Sequence, residues 1–288
     1  MNPTKQLKPA TSAPVPLGFA RSSLFGVTRT TPGKLRDTPI QILDVRASKM
    51  SYTGPQLNQH HALIWQALIR IALKSGTDGS ASVLVPIDAL LEQIGCQGKD
   101  SKQRGRVWQW LRDLSDARIE YSTVTHDCID RLVLKASRCK RTGMLEIQLS
   151  PDILHLLSKE VLENDLARKS SLGRNMLALW LHDYIASHQR VPALPVSQLL
   201  MLCGSCLALP QFRQRLEAAL KLLKVGKSPL VKSWKYDSQD RLIIDKVPTS
   251  VNLGDHKACE ETPAAVKAMA RKTTAITHAR TRRADVAL

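Results

Sequence analysis

Basic and amide side chains, with one glycine among them, recur at intervals of one, three or six residues in two separate segments of the chain. The first set is Lys102, Gly105, Arg106, Gln109 and Arg112, and the second set is Gln211, Gln214, Arg215 and Lys221. That spacing places each set on one face of an α-helix. An Arg guanidinium can donate two hydrogen bonds to the acceptors of guanine, and a Gln amide can pair with adenine. The two sets therefore predict two helices whose outer faces bind base edges and phosphates.

The same residue types also occur on amphipathic helices merely because they face water. Two features favour nucleic acid instead. At an offset of 109 residues Arg106 coincides with Arg215, and Arg112 coincides with Lys221. The chain is also strongly basic, with 42 Lys and Arg against 25 Asp and Glu, a formal net charge of +17 and a pI near 9.9. Because each cation set against a phosphate releases a condensed counterion, the sequence predicts double-stranded DNA as the partner and ranks an anionic membrane surface second.

Composition excludes several other classes of protein. The 288 residues are 43% apolar, which is enough to build a core. No apolar run approaches the roughly 20 residues that cross a bilayer, and four prolines in the first 17 residues stand where a signal peptide needs an apolar segment. The six cysteines are dilute, which fits reduced thiols. We therefore expect a cytoplasmic globular protein without a membrane partner.

The elements that must position the two polar faces follow from apolar periodicity and from Gly and Pro punctuation. In the first half we expect a strand at 40–45, helices at 58–74, 87–95 and 101–117, a short strand at 83–86 before the second helix, and strands at 119–125, 131–137 and 144–149. In the second half we expect helices at 171–187, 195–203 and 210–225, an extended segment at 191–194, and a hairpin of 229–236 with 241–246. The two halves repeat one order of elements.

The offset of 109 residues supports an internal repeat, because it carries two helices and the turn between them without a gap. It places Pro86 on Pro195 and Gly95 on Gly204. Helix, short strand, helix, helix and β-hairpin is the order of a winged helix, in which the third helix enters the major groove. Lys140 and Arg141 would lie at the tip of the first wing, where cations suit phosphates.

The sequence thus predicts a helix-rich α+β fold of two tandem winged-helix domains, each a helix-turn-helix with a β-wing, plus flexible basic tails. The expected boundaries are a flexible N-terminal tail at 1–19, a first domain at 20–150, a linker at 151–168, a second domain at 169–248 and a basic, disordered C-terminal tail at 249–288.

Residues that suggest other chemistry do not form a complete site. Cys203 and Cys206 make a CxxC pair without a second pair at zinc-finger spacing, so we expect inert thiols at a helix end. A strand-nicking enzyme needs a metal-binding His pair and a nucleophilic Tyr. The adjacent His60 and His61 point to different sides of their helix, and the four tyrosines lack an accompanying carboxylate cluster. We predict no enzyme activity, no metal and no cofactor.

From Ala20 to about Val247 the chain resembles the TrfA-type plasmid replication initiators. The resemblance rests on Ala20-Arg21-Ser22-Ser23-Leu24-Phe25, on Ser51-Tyr52-Thr53-Gly54 followed by Trp65-Gln66, on Leu172-Gly173-Arg174-Asn175-Met176, on Ser187-His188, and on Met201-Leu202-Cys203-Gly204-Ser205. Members of this family carry two winged-helix domains and bind repeated origin sequences called iterons.

The resemblance implies initiation of plasmid replication without catalysis. Monomers would bind iterons, open the adjacent AT-rich DNA and bring in the host initiator, the replicative helicase and the sliding clamp, whereas dimers would serve copy-number control. The clamp-binding segment of longer members is represented here only by Gln6-Leu7, followed by Lys8-Pro9. Two alternatives stay open from sequence: a transcriptional repressor of the same fold, and a strand-nicking initiator enzyme.

Overall fold

The computed structural model describes residues 12–28, 35–45, 48–74, 82–95, 100–122, 127–152, 161–225 and 228–248, which form a mixed structure of helices and strands. The helices are α1 (Leu17–Ala20), α2 (Gln59–Lys74), α3 (Ile87–Gln93), α4 (Ser101–Asp116), α5 (Leu166–Ser171), α6 (Met176–Ala186), α7 (Val196–Leu202) and α8 (Leu209–Lys224). The strands are β1 (Ser12–Pro16), β2 (Leu35–Val45), β3 (Ser48–Pro55), β4 (Val83–Pro86), β5 (Arg118–Ser122), β6 (Asp127–Arg131), β7 (Val133–Arg138), β8 (Met144–Leu149), β9 (Val161–Asp165), β10 (Leu194–Pro195), β11 (Val231–Tyr236) and β12 (Arg241–Lys246).

Helices α2, α3 and α4 pack on the β4-β8-β7 sheet, and we call this arrangement the first module. Helix α4 buries Val107, Leu111 and Leu114 completely, which is the apolar stripe expected of a helix with one face on a core. Helix α2 begins after Asn58, whose Oδ1 accepts a hydrogen bond from the backbone N–H of His60 at 3.0 Å. Asn is a preferred residue at such a helix start because it satisfies a backbone donor that the helix leaves unpaired.

Helices α6, α7 and α8 pack on the β10-β12-β11 sheet and form the second module. Its core is built on the buried Phe212, Leu216 and Leu220 of α8 and on Trp180 and Ile185 of α6. In both modules the short strand before the second helix pairs antiparallel with the second strand of the hairpin. The predicted order of elements is therefore present in each half of the chain.

The turns between helices also repeat. Pro86 ends β4 and Pro195 ends β10, and a seven-residue helix starts at the next residue in each case. Gly95 and Gly204 follow these helices with φ of 75° and 66°. Only glycine adopts this left-handed conformation without a steric cost, so the two glycines end α3 and α7 for the same reason.

The N-terminal boundary differs from the expected one. Residues 12–19 fall in the predicted flexible tail, yet β1 pairs antiparallel with β9, from the predicted linker, and the side chains of Val15 and Phe19 are buried. A two-stranded ribbon tolerates prolines because one edge of each strand needs no partner for a backbone N–H. Residues 12–19 thus belong to the folded structure, and 1–11 and the predicted tail from 249 onward lie outside the described residues.

Strand β6 was not expected from the sequence, and it completes a four-stranded sheet in the order β2-β3-β5-β6. The strand predicted at 131–137 begins instead at Val133. Helix α6 begins at Met176 rather than at residue 171, because Gly173 takes a left-handed φ of 64° and Asn175 caps the helix through the backbone N–H of Ala178.

Within the described residues, none of the helices is long and apolar enough to pass through a bilayer.

One segment, residues 19–28, contacts both modules, and we call it the bridging segment. Phe19 and Phe25 pack on Trp65 of the first module, with ring centroids 5.3 and 5.9 Å from the indole. Toward the second module, the carbonyl of Ser22 accepts a hydrogen bond of 2.9 Å from the indole of Trp180. Further along, Gly26 donates its N–H to the Leu57 carbonyl and Val27 donates to that of Cys203. The bridging segment therefore holds the two modules together.

A buried polar cluster also joins the modules. Lys169 is fully buried and forms an ion pair with Asp183 of α6. Its Nζ also donates to Oε1 of Gln66 on α2 at 3.3 Å, and Gln66 donates to Asp183 at 3.2 Å. The cluster is thus assembled from both modules, because Gln66 of α2 forms hydrogen bonds with both members of the ion pair.

Candidate nucleic-acid interface

The outer face of α4 carries the first predicted set of polar residues. Asp100 fixes the start of the helix by accepting a 2.7 Å hydrogen bond from the backbone N–H of Gln103. With the apolar stripe turned to the core, Lys102, Arg106 and Arg112 are exposed and have no carboxylate partner among the described residues. Their charges are therefore available to an anion.

Gly105 lies on the same face, one turn before Gln109. A Cβ placed on Gly105 would meet no atom within 4 Å, so internal packing does not require a glycine there. Glycine inside a helix costs about 0.5–1 kcal/mol of stability relative to alanine. Close approach by another molecule is one reason to keep such a residue on an open surface.

Gln109 differs from its neighbours because it is half-buried and its orientation is fixed. Its Nε2 lies 3.0 Å from Oδ1 of Asp113, and Oδ2 of Asp113 lies 3.0 Å from Nε2 of the buried His61. The sequence pattern placed Gln109 on the outer face but did not identify Asp113 or His61 as its supports. His60 points elsewhere, and its ring stacks on that of Trp110 at 5.0 Å.

The first wing brings two more exposed cations to the surface. Lys140 and Arg141 occupy the turn between β7 and β8, and the carboxylates of the described residues form no ion pair with either. At the end of β7, next to this turn, Arg138 lies over the ring of Trp108 at 5.0 Å, and Arg112 of α4 lies over the same ring at 5.8 Å. An aromatic face restrains a guanidinium without neutralising its charge. The wing and α4 therefore form one continuous basic surface.

The outer face of α8 carries the second predicted set. Gln211, Gln214, Arg215 and Lys221 are all exposed, and neither cation has a carboxylate partner among the described residues. Arg215 stands at the repeat position of Arg106 and is exposed as Arg106 is.

The tip of the second hairpin is acidic, unlike the first. Arg241 donates to Asp237 at 2.6 Å, and hydrogen bonds from the backbone and side chain of Arg241 lower the pKa of Asp237 against the opposing effect of burial. Arg213 forms an ion pair with Asp240. Because both carboxylates of this turn are paired with arginines and the turn itself contains no Lys or Arg, the helix rather than the hairpin is the basic surface of the second module.

Arg174 is an exposed cation that the residue patterns did not single out, although it lies in a stretch that resembles the initiator family. Its position is fixed from both sides, because Leu172 packs against both cores and Asn175 caps α6. Burial, followed by the charges of His61, Arg174 and Arg106, lowers the pKa of His60 to about 4. The charge of Arg174 therefore reaches His60, whose ring stacks on Trp110 of α4.

Side chains that could serve covalent chemistry are sequestered. Tyr52, Tyr121 and Tyr184 are buried, and the half-buried Tyr236 donates to Glu217 at 2.6 Å. Burial and that hydrogen bond raise the pKa of Tyr236.

The two cysteines of the CxxC pair differ in exposure. Burial raises the pKa of Cys203 to about 12, as expected for an inert thiol, whereas Cys206 is exposed. Across the described part of the chain, no group of three or more His, Cys, Asp or Glu side chains is arranged to hold a metal ion.

No protein-family model and no curated protein matches the chain. The fold is similar to a crystal structure of domains 2 and 3 of RctB, with a TM-score of 0.52 and 11% identity over 81% of this chain and 98% of that one. A second crystal structure of RctB domains 2 and 3 superposes with a TM-score of 0.48 and 10% identity, covering 73% of this chain and 84% of that chain. The WH1 domain of MSBI1.176, a replication protein isolated from a multiple sclerosis patient, has a TM-score of 0.29 and 17% identity over 35% of this chain and 79% of that domain. The chain thus shares a fold with RctB domains 2 and 3.

Proposed function

We propose that the chain is a plasmid replication initiator of the TrfA type, in which both modules are winged helices that bind iterons of the origin. The observation that carries the proposal is the recurrence of an outward basic face on the third helix of each module, with Arg106 and Arg215 at matched positions. A single exposed basic helix face would be ordinary, but two copies connected by the bridging segment suit a repeated DNA sequence.

The two modules would contribute differently to DNA binding. In the first, α4 would enter the major groove while Lys140 and Arg141 of the wing contact phosphates. In the second, α8 would dock without a basic wing tip, because Asp237 and Asp240 occupy that turn. Arg174 would add a phosphate contact beside α4.

Initiation would then follow from binding rather than from catalysis. Bound monomers would open the adjacent AT-rich DNA and recruit the host initiator, the replicative helicase and the sliding clamp, and dimers would limit copy number by pairing origins. The burial or half-burial of each of the four tyrosines supports a non-enzymatic role, because a nicking nucleophile has to reach a DNA strand.

The test is a footprint of the purified protein on DNA that flanks its own gene, repeated across salt concentrations and combined with permanganate probing of unpaired thymines. Evenly spaced protection beside opened AT-rich DNA is the expected result. One palindromic footprint without opening would favour a transcriptional repressor, and a site-specific nick lost on Tyr→Phe substitution would replace the proposal with an enzyme.

The matched variants are Arg106→Ala and Arg215→Ala. Each is expected to weaken specific binding by about 1–3 kcal/mol and to relax base preference at one position. Arg118→Ala serves as the control, because Arg118 lies on β5 and pairs with Glu120 at 2.9 Å. Equal losses on specific and random duplexes would assign both arginines to phosphates instead.

A further inference from the structure

A chain of hydrogen bonds runs from the core of the first module to the outer face of α4. His61 of α2 is fully buried, and its Nδ1 accepts a hydrogen bond of 3.1 Å from the backbone N–H of Asn58. On the other side of the ring, Nε2 lies 3.0 Å from Oδ2 of Asp113. The second oxygen of Asp113 lies 3.0 Å from Nε2 of Gln109. Gln109 is thereby connected to a side chain that cannot move without disturbing the core.

The chemistry of the carboxylate sets the direction of each bond. An ionised Asp113 can only accept, so both His61 and Gln109 must donate to it. The side-chain amide of Gln109 therefore has one orientation, in which its NH2 group faces Asp113. Its Oε1 and its other N–H are left as an acceptor and a donor side by side. The Asp113 side chain is only 13% exposed, so water competes little for this arrangement.

The surroundings of Gln109 leave that donor–acceptor pair accessible from outside. Gly105, one turn earlier on α4, presents no side chain, and the space above it is open. Arg106 is exposed beside it. A base edge can therefore approach Gln109 along the outer face of the helix.

We propose, on the basis of the proposed duplex-binding function, that Gln109 recognises an adenine in the major groove and that His61 and Asp113 are positioning residues that present its amide. The free N–H of Gln109 would donate to adenine N7, and Oε1 would accept from the N6 amino group. The buried imidazole and the carboxylate make no contact with DNA and act only by fixing the amide.

The second module does not have a Gln supported by an Asp at the equivalent positions. At the repeat offset, Gln109 corresponds to Ala218 and Asp113 corresponds to Leu222, and both are exposed. The side chain of Ala218 has neither a donor nor an acceptor, so it cannot pair with the adenine edge. One adenine per bound protein is thus expected to depend on Gln109.

The experiment uses the full chain and a duplex site selected by the protein from random sequences. Each adenine of that site is replaced in turn by 7-deazaadenine, which lacks the N7 acceptor. Replacement of one particular adenine is expected to lower the affinity of the wild-type protein roughly tenfold, whereas replacement of the other adenines should lower it less. In Gln109→Ala that adenine should become insensitive to the replacement.

Asp113→Asn tests the positioning role. The oxygen of Asn can still accept from His61, but its NH2 then faces the NH2 of Gln109 and forces that amide to turn over. The preference for adenine over 7-deazaadenine should fall to about the level of Gln109→Ala, and the double variant should lose no more than either single variant. Asp116→Asn removes the same charge from the exposed end of α4 and should retain the preference. Should Asp113→Asn fail to fold, Asp113→Ser keeps an oxygen for His61 without holding Gln109, and the same loss is expected.

The possible failures are distinguishable. If Asp113→Asn and Asp113→Ser keep the full preference that Gln109→Ala loses, the positioning role is wrong. If Gln109→Ala changes no adenine position while the wild-type protein still selects a sequence, Gln109 does not recognise adenine, but the proposed function stands. If the wild-type protein selects no duplex sequence, the proposed function and this inference both fail.

Discussion

Gly143 and Asp240 hold the same place in the two modules, each immediately before the second strand of its hairpin. Both have a left-handed backbone, with φ of 70° and 58°. Their carbonyls accept hydrogen bonds of 3.2 Å from the first N–H of the short helix, that of Ile87 and of Val196 respectively. The hairpin turn therefore caps the second helix in both modules, with the same backbone conformation at two different residue types.

The side chain of Asp240 adds an ion pair that glycine cannot make. Asp240 binds Arg213, whereas the equivalent Arg104 binds Asp88 of α3 through two hydrogen bonds of 2.8 Å. At the repeat position of Asp88 the second module has Ser197. The two modules thus share the arginine, but its carboxylate partner lies on a helix in the first module and in a turn in the second.

Replacing Asp240 separates backbone strain from the ion pair. Asp240→Gly should change the free energy of unfolding by less than about 1 kcal/mol, because an exposed ion pair contributes little and glycine relieves the left-handed strain. Asp240→Ala loses the ion pair and retains the strain, so it should be less stable than Asp240→Gly by about 1 kcal/mol. Urea unfolding of both variants measures the difference, and equal stabilities would show that the turn is not strained.

Gly105→Ala should stabilise the protein while weakening DNA binding. Alanine is the better helix former by about 0.5–1 kcal/mol, and its methyl group meets no atom within 4 Å. The same methyl group would obstruct a duplex that approaches α4 closely. Thermal unfolding and fluorescence anisotropy with a duplex site measure the two effects on one preparation. A stabilised variant with unchanged affinity would show that DNA does not approach this point of the helix.

Arg174→Ala should lower affinity for specific and random duplexes alike and should flatten the salt dependence. Loss of one phosphate contact reduces the slope of log K against log salt by about 0.9. Arg190→Ala is the matched control, because Arg190 is also exposed and lies in the loop after α6. A slope that changes equally in both variants would mean that general charge, and not the position of Arg174, is responsible.

The stability of the folded chain should fall as the pH is lowered below about 6.5. Burial and the nearby charges of Arg21 and Lys246 lower the pKa of His188 to about 3. Between its ordinary pKa of 6.5 and that value the unfolded chain binds a proton that the native protein does not, so unfolding becomes easier by about 1.4 kcal/mol per pH unit. His188→Gln should reduce this slope in urea unfolding at pH values from about 6.5 down to about 4.5. An unaltered slope would mean that other groups take up the proton on unfolding. His60 is one such group, because its pKa is also lowered.

The helices of the two modules were predictable because each buries an apolar stripe and ends at a residue with a local reason to be there, whereas α1 and α5 were not predicted. The inner face of α4 follows from the spacing of Val107, Leu111 and Leu114 alone. The second helix of each module, α3 or α7, ends at a glycine, Gly95 or Gly204. The exposed positions of the polar sets follow from the same periodicity. These features depend on contacts within a few residues of chain.

Pairings between distant residues were not predictable in this way. Strand β1 lies in a Pro-rich segment without a strand pattern, and it forms because residues 161–165 offer it a partner. The hydrogen bond of Asp113 to His61 likewise joins two helices, so neither residue carries a signal in its own neighbourhood. The polar face of α4 is thus visible in the sequence, whereas the support that orients Gln109 depends on tertiary structure.

The bridging segment would fix the distance and the angle between the two proposed DNA-binding surfaces. Successive base pairs of B-DNA are related by a rotation of about 35° and a rise of about 3.4 Å. With the two modules fixed relative to each other, deletion of one base pair between their half-sites would rotate and shift one half-site away from its helix. Every contacted base would still be present. Specific binding would then depend on the number of base pairs between the half-sites as well as on the contacted bases.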